Sequence, residues 1–155
     1  MNPTRRQFLK QQLLTGSAII AAGGLSTLGL PAFASAEDVA QALAEFVGDA
    51  QTQTGLLTLK TPEIAENGNT VPISISVESD MTEDAYVESV MVLAEGNPSP
   101  KVITFHFTPA SGQAVASTRM RLAKTQNVIA VAKMSDGSVY TDTKNVKVTI
   151  GGCGG

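Results

Sequence analysis

Between Val71 and Glu78 the chain alternates with a period of two. Val71, Ile73, Ile75 and Val77 fall on one side; Pro72, Ser74, Ser76 and Glu78 fall on the other. That pattern predicts a strand with one buried face. Pro72 lacks an N–H and so points to a sheet edge or a strand start. Ile103, Phe105 and Phe107 alternate in the same way with Thr104, His106 and Thr108. Ala116, Thr118, Met120 and Leu122 oppose Ser117, Arg119 and Arg121. Two further runs are apolar without clean alternation, Ala85 to Ala94 and Val128 to Met134. Short runs at Val139–Thr141 and Val146–Ile150 complete the set. Turn residues separate these runs. Glu95-Gly96-Asn97-Pro98-Ser99-Pro100 breaks the chain, and Ser135-Asp136-Gly137-Ser138 predicts a hairpin turn, because Asp-Gly tolerates positive φ.

Upstream the period is helical. Val39, Ala42, Leu43, Phe46 and Val47 form one apolar stripe within Asp38–Val47. Asp38 is placed to cap this helix and Gly48 to end it. About seven short strands with turn residues between them predict a mainly β fold. The expected architecture is an immunoglobulin-like antiparallel β-sandwich with one N-terminal helix. The chain has no Trp and one Cys, so the Cys–Trp–Cys core of antibody domains is excluded.

The first 36 residues have a different character. Thr4-Arg5-Arg6-Gln7-Phe8-Leu9-Lys10 is a twin-arginine export motif, with Arg5 and Arg6 at its centre. Leu13 to Leu30 is uncharged but diluted by glycine, serine and threonine. It is long enough to span a bilayer, yet its weak hydrophobicity fits a cleaved signal better. Ala34-Ser35-Ala36 offers a small-residue cleavage site between Ala36 and Glu37, with Ala32-Phe33-Ala34 as a second option. The expected organisation is a signal peptide at 1–36, a helical segment at 37–55, a sandwich at 56–150 and an arm at 151–155. The expected location is the periplasm, reached in the folded state, with no membrane attachment after cleavage.

Cleavage would remove Arg5, Arg6 and Lys10 and leave eight basic against fourteen acidic residues, a net charge of −6. An acidic surface argues against nucleic acid and anionic membranes as partners. One histidine and one cysteine cannot furnish a closed zinc, haem or iron–sulfur site. No metal and no cofactor are therefore expected. Export in the folded state then calls for another cause, such as a partner subunit that folds with this chain and rides out on its signal.

Cys153 is the single cysteine, within Gly151-Gly152-Cys153-Gly154-Gly155. An odd cysteine in an exported protein points to intermolecular pairing or to a reactive thiol. Gly151, Gly152, Gly154 and Gly155 read as a flexible arm that holds out one nucleophile. No Lys, Arg or His adjoins Cys153 to lower its pKa. The thiol therefore reads as a covalent attachment point acted on by other enzymes, and no residue is assigned a catalytic role. The other chemistry-bearing residues have plainer readings. His106 lies opposite Phe105 and Phe107, towards solvent or a partner. Met91, Met120 and Met134 read as core fillers. Glu83 and Asp84 are adjacent and point apart. Arg119 and Arg121 share a strand face, as an anion site or a solvated or interface face.

The leader, short helix, sandwich and terminal Val-Lys-Val-Thr-Ile-Gly-Gly-Cys-Gly-Gly together resemble the SoxY family, the sulfur-carrier subunits of periplasmic thiosulfate oxidation. The resemblance implies a heterodimer with a leaderless SoxZ-like partner. It implies that a c-type haem enzyme joins thiosulfate to the Cys153 sulfur as an S-thiosulfonate. It further implies a dimanganese hydrolase that releases sulfate and, in some members, a molybdenum–haem sulfur dehydrogenase that oxidises the remaining sulfane. Two other classes stay open at this point. A thiol-redox or exchange protein would normally carry a second, resolving cysteine. A structural module would be joined permanently to another chain through a Cys153 disulfide.

Overall fold

A computed structural model describes residues 36–152. Arg5, Arg6, Cys153, Gly154 and Gly155, all singled out above, lie outside the described residues. The element order is a helix, α1 (Ala36–Val47), and nine strands. The strands are β1 (Thr52–Gln53), β2 (Leu57–Lys60), β3 (Ile64–Asn67), β4 (Val71–Val77), β5 (Val87–Ala94), β6 (Lys101–His106), β7 (Ala114–Met120), β8 (Gln126–Met134) and β9 (Val139–Ile150). Among the described residues no helix is long and apolar enough to cross a membrane.

Two sheets face each other. The large one runs β1-β9-β8-β5-β6, with β3 also on β9; the small one runs β2-β4-β7. Their facing sides form the main core, which includes Ile73 and Ile75 of β4, Val90 and Val92 of β5, and Val128 and Ala130 of β8. The expected mainly β, immunoglobulin-like sandwich is what the chain adopts.

The irregular apolar runs now have a cause. The large sheet is covered on both faces. One face meets the small sheet; the other carries Met91, Leu93, Ile129, Val131 and Val139 against Val39 and Ala42 of α1. A strand buried on both sides has no reason to alternate. β4, with one face towards solvent, alternates buried and more exposed positions along its length. Met91 and Met120 are buried core residues, and Met134 packs at the core margin.

Four details differ from the sequence expectation. The sandwich is not purely antiparallel, because β1 and β3 both pair parallel with β9. The division at residue 55/56 does not separate helix from sandwich, because β1 already belongs to the large sheet. Val139–Thr141 and Val146–Ile150 are one continuous strand, β9. α1 begins at Ala36, so Asp38 sits in its first turn beside Glu37 instead of capping it. Carboxylates there still favour the positive end of the helix dipole. Gly48 does end α1, with φ of 64° and its N–H bonded to the Ala44 carbonyl at 2.9 Å. Pro72 is at a strand start and not at an edge: β4 is the central strand, and the β2 ladder stops at Ser74.

Candidate functional site

β9 delivers the C-terminal segment to a junction of three chain segments. The Gly68 N–H donates to the Ile150 carbonyl at 2.8 Å. The Leu122 N–H donates to the Gly68 carbonyl at 2.8 Å, and the Gly152 N–H donates to the Leu122 carbonyl at 3.0 Å. These bonds close a ring among the turn after β3, the connection after β7 and the segment after β9. The last described residues thus cross from the large sheet to the rim of the small one.

At three positions of this junction only glycine fits. A Cβ on Gly68 would collide with the Leu122 carbonyl oxygen and lie 2.6 Å from the Gly152 nitrogen. A Cβ on Gly151 would collide with the Ala123 carbonyl oxygen, and one on Gly152 would lie 2.9 Å from the Gly68 oxygen. Gly151 and Gly152 are therefore not free arm residues, as the glycine run suggested. Gly152 is buried, and both glycines serve close backbone approach in place of conformational freedom.

A buried amide pair supports the ring from below. The Asn97 Oδ1 accepts from the Ala123 N–H and from Gln126 Nε2, both at 3.0 Å. Its Nδ2 donates to the Arg121 carbonyl at 2.8 Å. Gln126 Nε2 also donates to the Lys124 carbonyl at 3.1 Å, and its Oε1 accepts from the Gly96 N–H at 2.6 Å. Backbone groups of residues 121, 123 and 124 are thus fixed by two side chains, which leaves both backbone groups of Leu122 for Gly68 and Gly152. Thr125 Oγ1 accepts from the Val148 N–H at 2.9 Å, and Thr149 Oγ1 donates to the Glu66 carbonyl at 2.9 Å. Among the described residues no buried side-chain polar atom lacks a partner.

The other candidate residues are not gathered here. His106 is exposed at the far end of β6, in the row Ser89–Lys133–Val139, whereas the ring lies beyond the Gln126–Val146 row. Arg119 and Arg121 are both exposed but line different clefts. Arg119 shares one with Lys60; Arg121 faces another beside Asn97, Pro98 and Val102. Glu83 and Asp84 are exposed in the loop between β4 and β5. Ala36 and Glu37, expected at the cleavage site, are the first two residues of α1. Sequence reasoning missed Gly68, Leu122, Asn97 and Gln126. Asn67-Gly68 carries a turn signal that could have drawn attention to Gly68; Leu122 carries none.

The family model described as "Sulfur oxidation protein SoxY" matches residues 43–153. The chain belongs to the SoxY family. A solved SoxY, described as a sulfur carrier protein from Chlorobium limicola f thiosulfatophilum, is 32% identical. It superposes with a TM-score of 0.62 over 75% of this chain and 100% of that one. The SoxY fold is also similar to a superoxide reductase (neelaredoxin) from Ignicoccus hospitalis, at 16% identity and a TM-score of 0.54 over 61% of this chain and 81% of that one. A putative superoxide reductase from Thermotoga maritima matches at 15% identity and a TM-score of 0.54, over 64% and 93%. Those two likenesses concern the fold alone. Among the described residues of this SoxY chain, no group of three or more His, Cys, Asp or Glu could hold a metal ion. No curated protein matches the chain by sequence. Family membership places the chain in sulfur oxidation.

Proposed function

We propose that the protein is a covalent sulfur carrier in thiosulfate oxidation, with Cys153 Sγ as the attachment atom, and that it catalyses no step itself. The observation that carries this reading is the backbone ring. It anchors Gly152, the residue before the only cysteine, to the body of a SoxY fold. An anchor at that point ties the segment that precedes the cysteine to the domain. The chemistry follows from the thiol. Loading joins the Cys153 thiol to thiosulfate as Cys–S–S–SO₃⁻, releasing one proton and two electrons to a c-type haem enzyme. Hydrolysis by a dimanganese enzyme then cleaves the terminal S–S bond, giving sulfate, a proton and a Cys153 persulfide. A molybdenum–haem sulfur dehydrogenase takes the remaining sulfane in hosts that have one. The carrier works as a heterodimer with a SoxZ-like chain in the periplasm, exported through the motif at Arg5 and Arg6. The test is mass spectrometry of the C-terminal peptide after incubation with thiosulfate and the haem enzyme. Wild type should gain the adduct mass and Cys153→Ser should not. A wild-type peptide that never gains mass overturns the reading.

A further inference from the structure

The strands of the small sheet carry cations but no acid in an acidic protein. β2, β4 and β7 carry Lys60 and Arg119 and not one acidic residue, although the chain has fourteen. A cavity of about 560 Å³ opens on this sheet, lined by Lys60, Thr61, Ser74, Ser117 and Arg119, with Pro62 and Pro72 as apolar walls and Ile73 and Thr118, a pair whose side chains face the core, contributing between them. Register explains the cluster. Lys60 pairs with Ser74 and Ser74 with Ser117, so the three form one row across the sheet; Pro72 and Arg119 form the next. Ser117 Oγ donates to Ser74 Oγ at 2.9 Å, and Arg119 Nη1 lies 3.4 Å from Thr70 Oγ1. Glu63 follows Pro62 in the chain but does not line the cavity.

We propose that this groove is a binding site for a sulfonate-type oxyanion, with Lys60 and Arg119 supplying both charge and N–H donors beside Thr61, while the Ser117 and Ser74 hydroxyls, which donate to Ser74 Oγ and to the Ala116 carbonyl, hold the floor of the groove in place. Guanidinium and ammonium donors suit the several acceptor oxygens of such a group. Position favours the end of a Cys153 adduct as the source, an element that rests on the carrier reading above. The groove and the ring use the same two segments: Arg119 lies near the end of β7 and Leu122 just beyond it, and Gly68 leads into Pro72 of β4. An exposed site with two cations binds a free anion weakly. A short tether raises the effective concentration to the millimolar range, which lets a weak site be occupied. A held adduct would also be kept from hydrolysis or exchange until a partner enzyme competes for it.

The experiment uses the full chain and backbone amide NMR, with two anion sources. Sodium thiosulfate or sulfate is titrated into Cys153→Ser. Separately, Cys153 of wild type is loaded with tetrathionate, whose central S–S bond the thiol cleaves to give Cys–S–S–SO₃⁻, free thiosulfate and a proton. That loading needs no pathway enzyme, so its outcome is independent of whether the haem enzyme uses this chain. The expected result is movement of the Ser74, Ser117 and Thr118 amides by the tethered group without added anion. Free anion should move the same amides only at millimolar concentration. Lys60→Gln and Arg119→Gln, both exposed and outside the ring, should each weaken binding roughly tenfold. Movement with free anion alone keeps the site and assigns it a free ligand. The proposal is overturned if neither source moves those amides, or if the double Lys60→Gln, Arg119→Gln variant responds as wild type does.

Discussion

Gly152 donates its N–H to the Leu122 carbonyl at 3.0 Å, and so the residue before Cys153 is bonded to the connection between the two sheets. The segment up to Gly152 is held to the domain at a fixed point, because this bond is one of three in a ring where backbone touches backbone.

Side chains in that ring should disrupt it. Gly68→Ala and Gly152→Val place a Cβ against backbone that has no rotamer to yield. Each is expected to cost about 1–3 kcal/mol, the usual range for overpacking. Urea denaturation gives the cost, and faster amide exchange at Leu122 and Gly152 locates it. Unchanged stability and exchange would show that the ring gives way freely.

Asn97→Ala should loosen the same place from below. It removes acceptors for the Ala123 N–H and Gln126 Nε2 and a donor for the Arg121 carbonyl. Leaving such buried groups unmatched costs about 1–3 kcal/mol each, and the neighbourhood relaxes to recover part of it. Asn97→Asp keeps the acceptors but sets a carboxylate against the Arg121 carbonyl, so it should not rescue. Thermal melts of the three proteins, with loading of Cys153 measured alongside, test this. A melting temperature within error of wild type for Asn97→Ala would rule it out.

Asp142 joins the sheets. Its Oδ2 accepts from the N–H of Leu59, a fully buried residue of β2, at 2.8 Å, while its Oδ1 pairs with Lys144 at 3.2 Å. Asp142→Ala should strand that N–H and destabilise by about 1–3 kcal/mol. Asp142→Asn retains an oxygen acceptor and should lose much less. Chemical denaturation of both variants distinguishes the hydrogen bond from the charge pair.

The tie between α1 and the edge strand β6 should depend on pH. Lys101 Nζ bonds Glu45 Oε2 at 2.6 Å, and that bond, helped by Gln41, holds the Glu45 carboxyl below its ordinary value. A depressed carboxyl stabilises the folded state above its unfolded pKa, and the contribution is lost as pH falls through the folded value. Protection of α1 amides should therefore fall below the normal carboxylate range, and earlier in high salt. Glu45→Gln should remove that acid step and lower neutral-pH protection of α1 by the same small amount that wild type loses in acid, small because both side chains are about half exposed. An identical acid profile in the variant would assign the step elsewhere.

Period-two and helical spacing made the helix and the main strands readable. The runs that failed to alternate, at Val90–Leu93 and Ile129–Val131, were legible as strands but not as doubly covered ones, since that depends on α1 docking. β1 and β3 were not legible. Thr52-Gln53 and Ile64-Ala65-Glu66-Asn67 are short, and they exist because β9 offers a free edge. At the candidate site the cysteine and its neighbours stood out at once. What Gly151 and Gly152 do was misread, because the same residue serves freedom and close approach, and only the Ala123 and Gly68 carbonyls tell them apart. Asn97 lay hidden within a run of turn residues, because burial of a polar side chain leaves no local trace.

β9 has β8 along one edge, with β1 and β3 along the other. A pull on the chain beyond Ile150 runs along this strand. It loads the ladders on both sides in shear, so many hydrogen bonds share the force at once and none can be peeled in sequence. The domain is built to be tugged by its tail without unravelling.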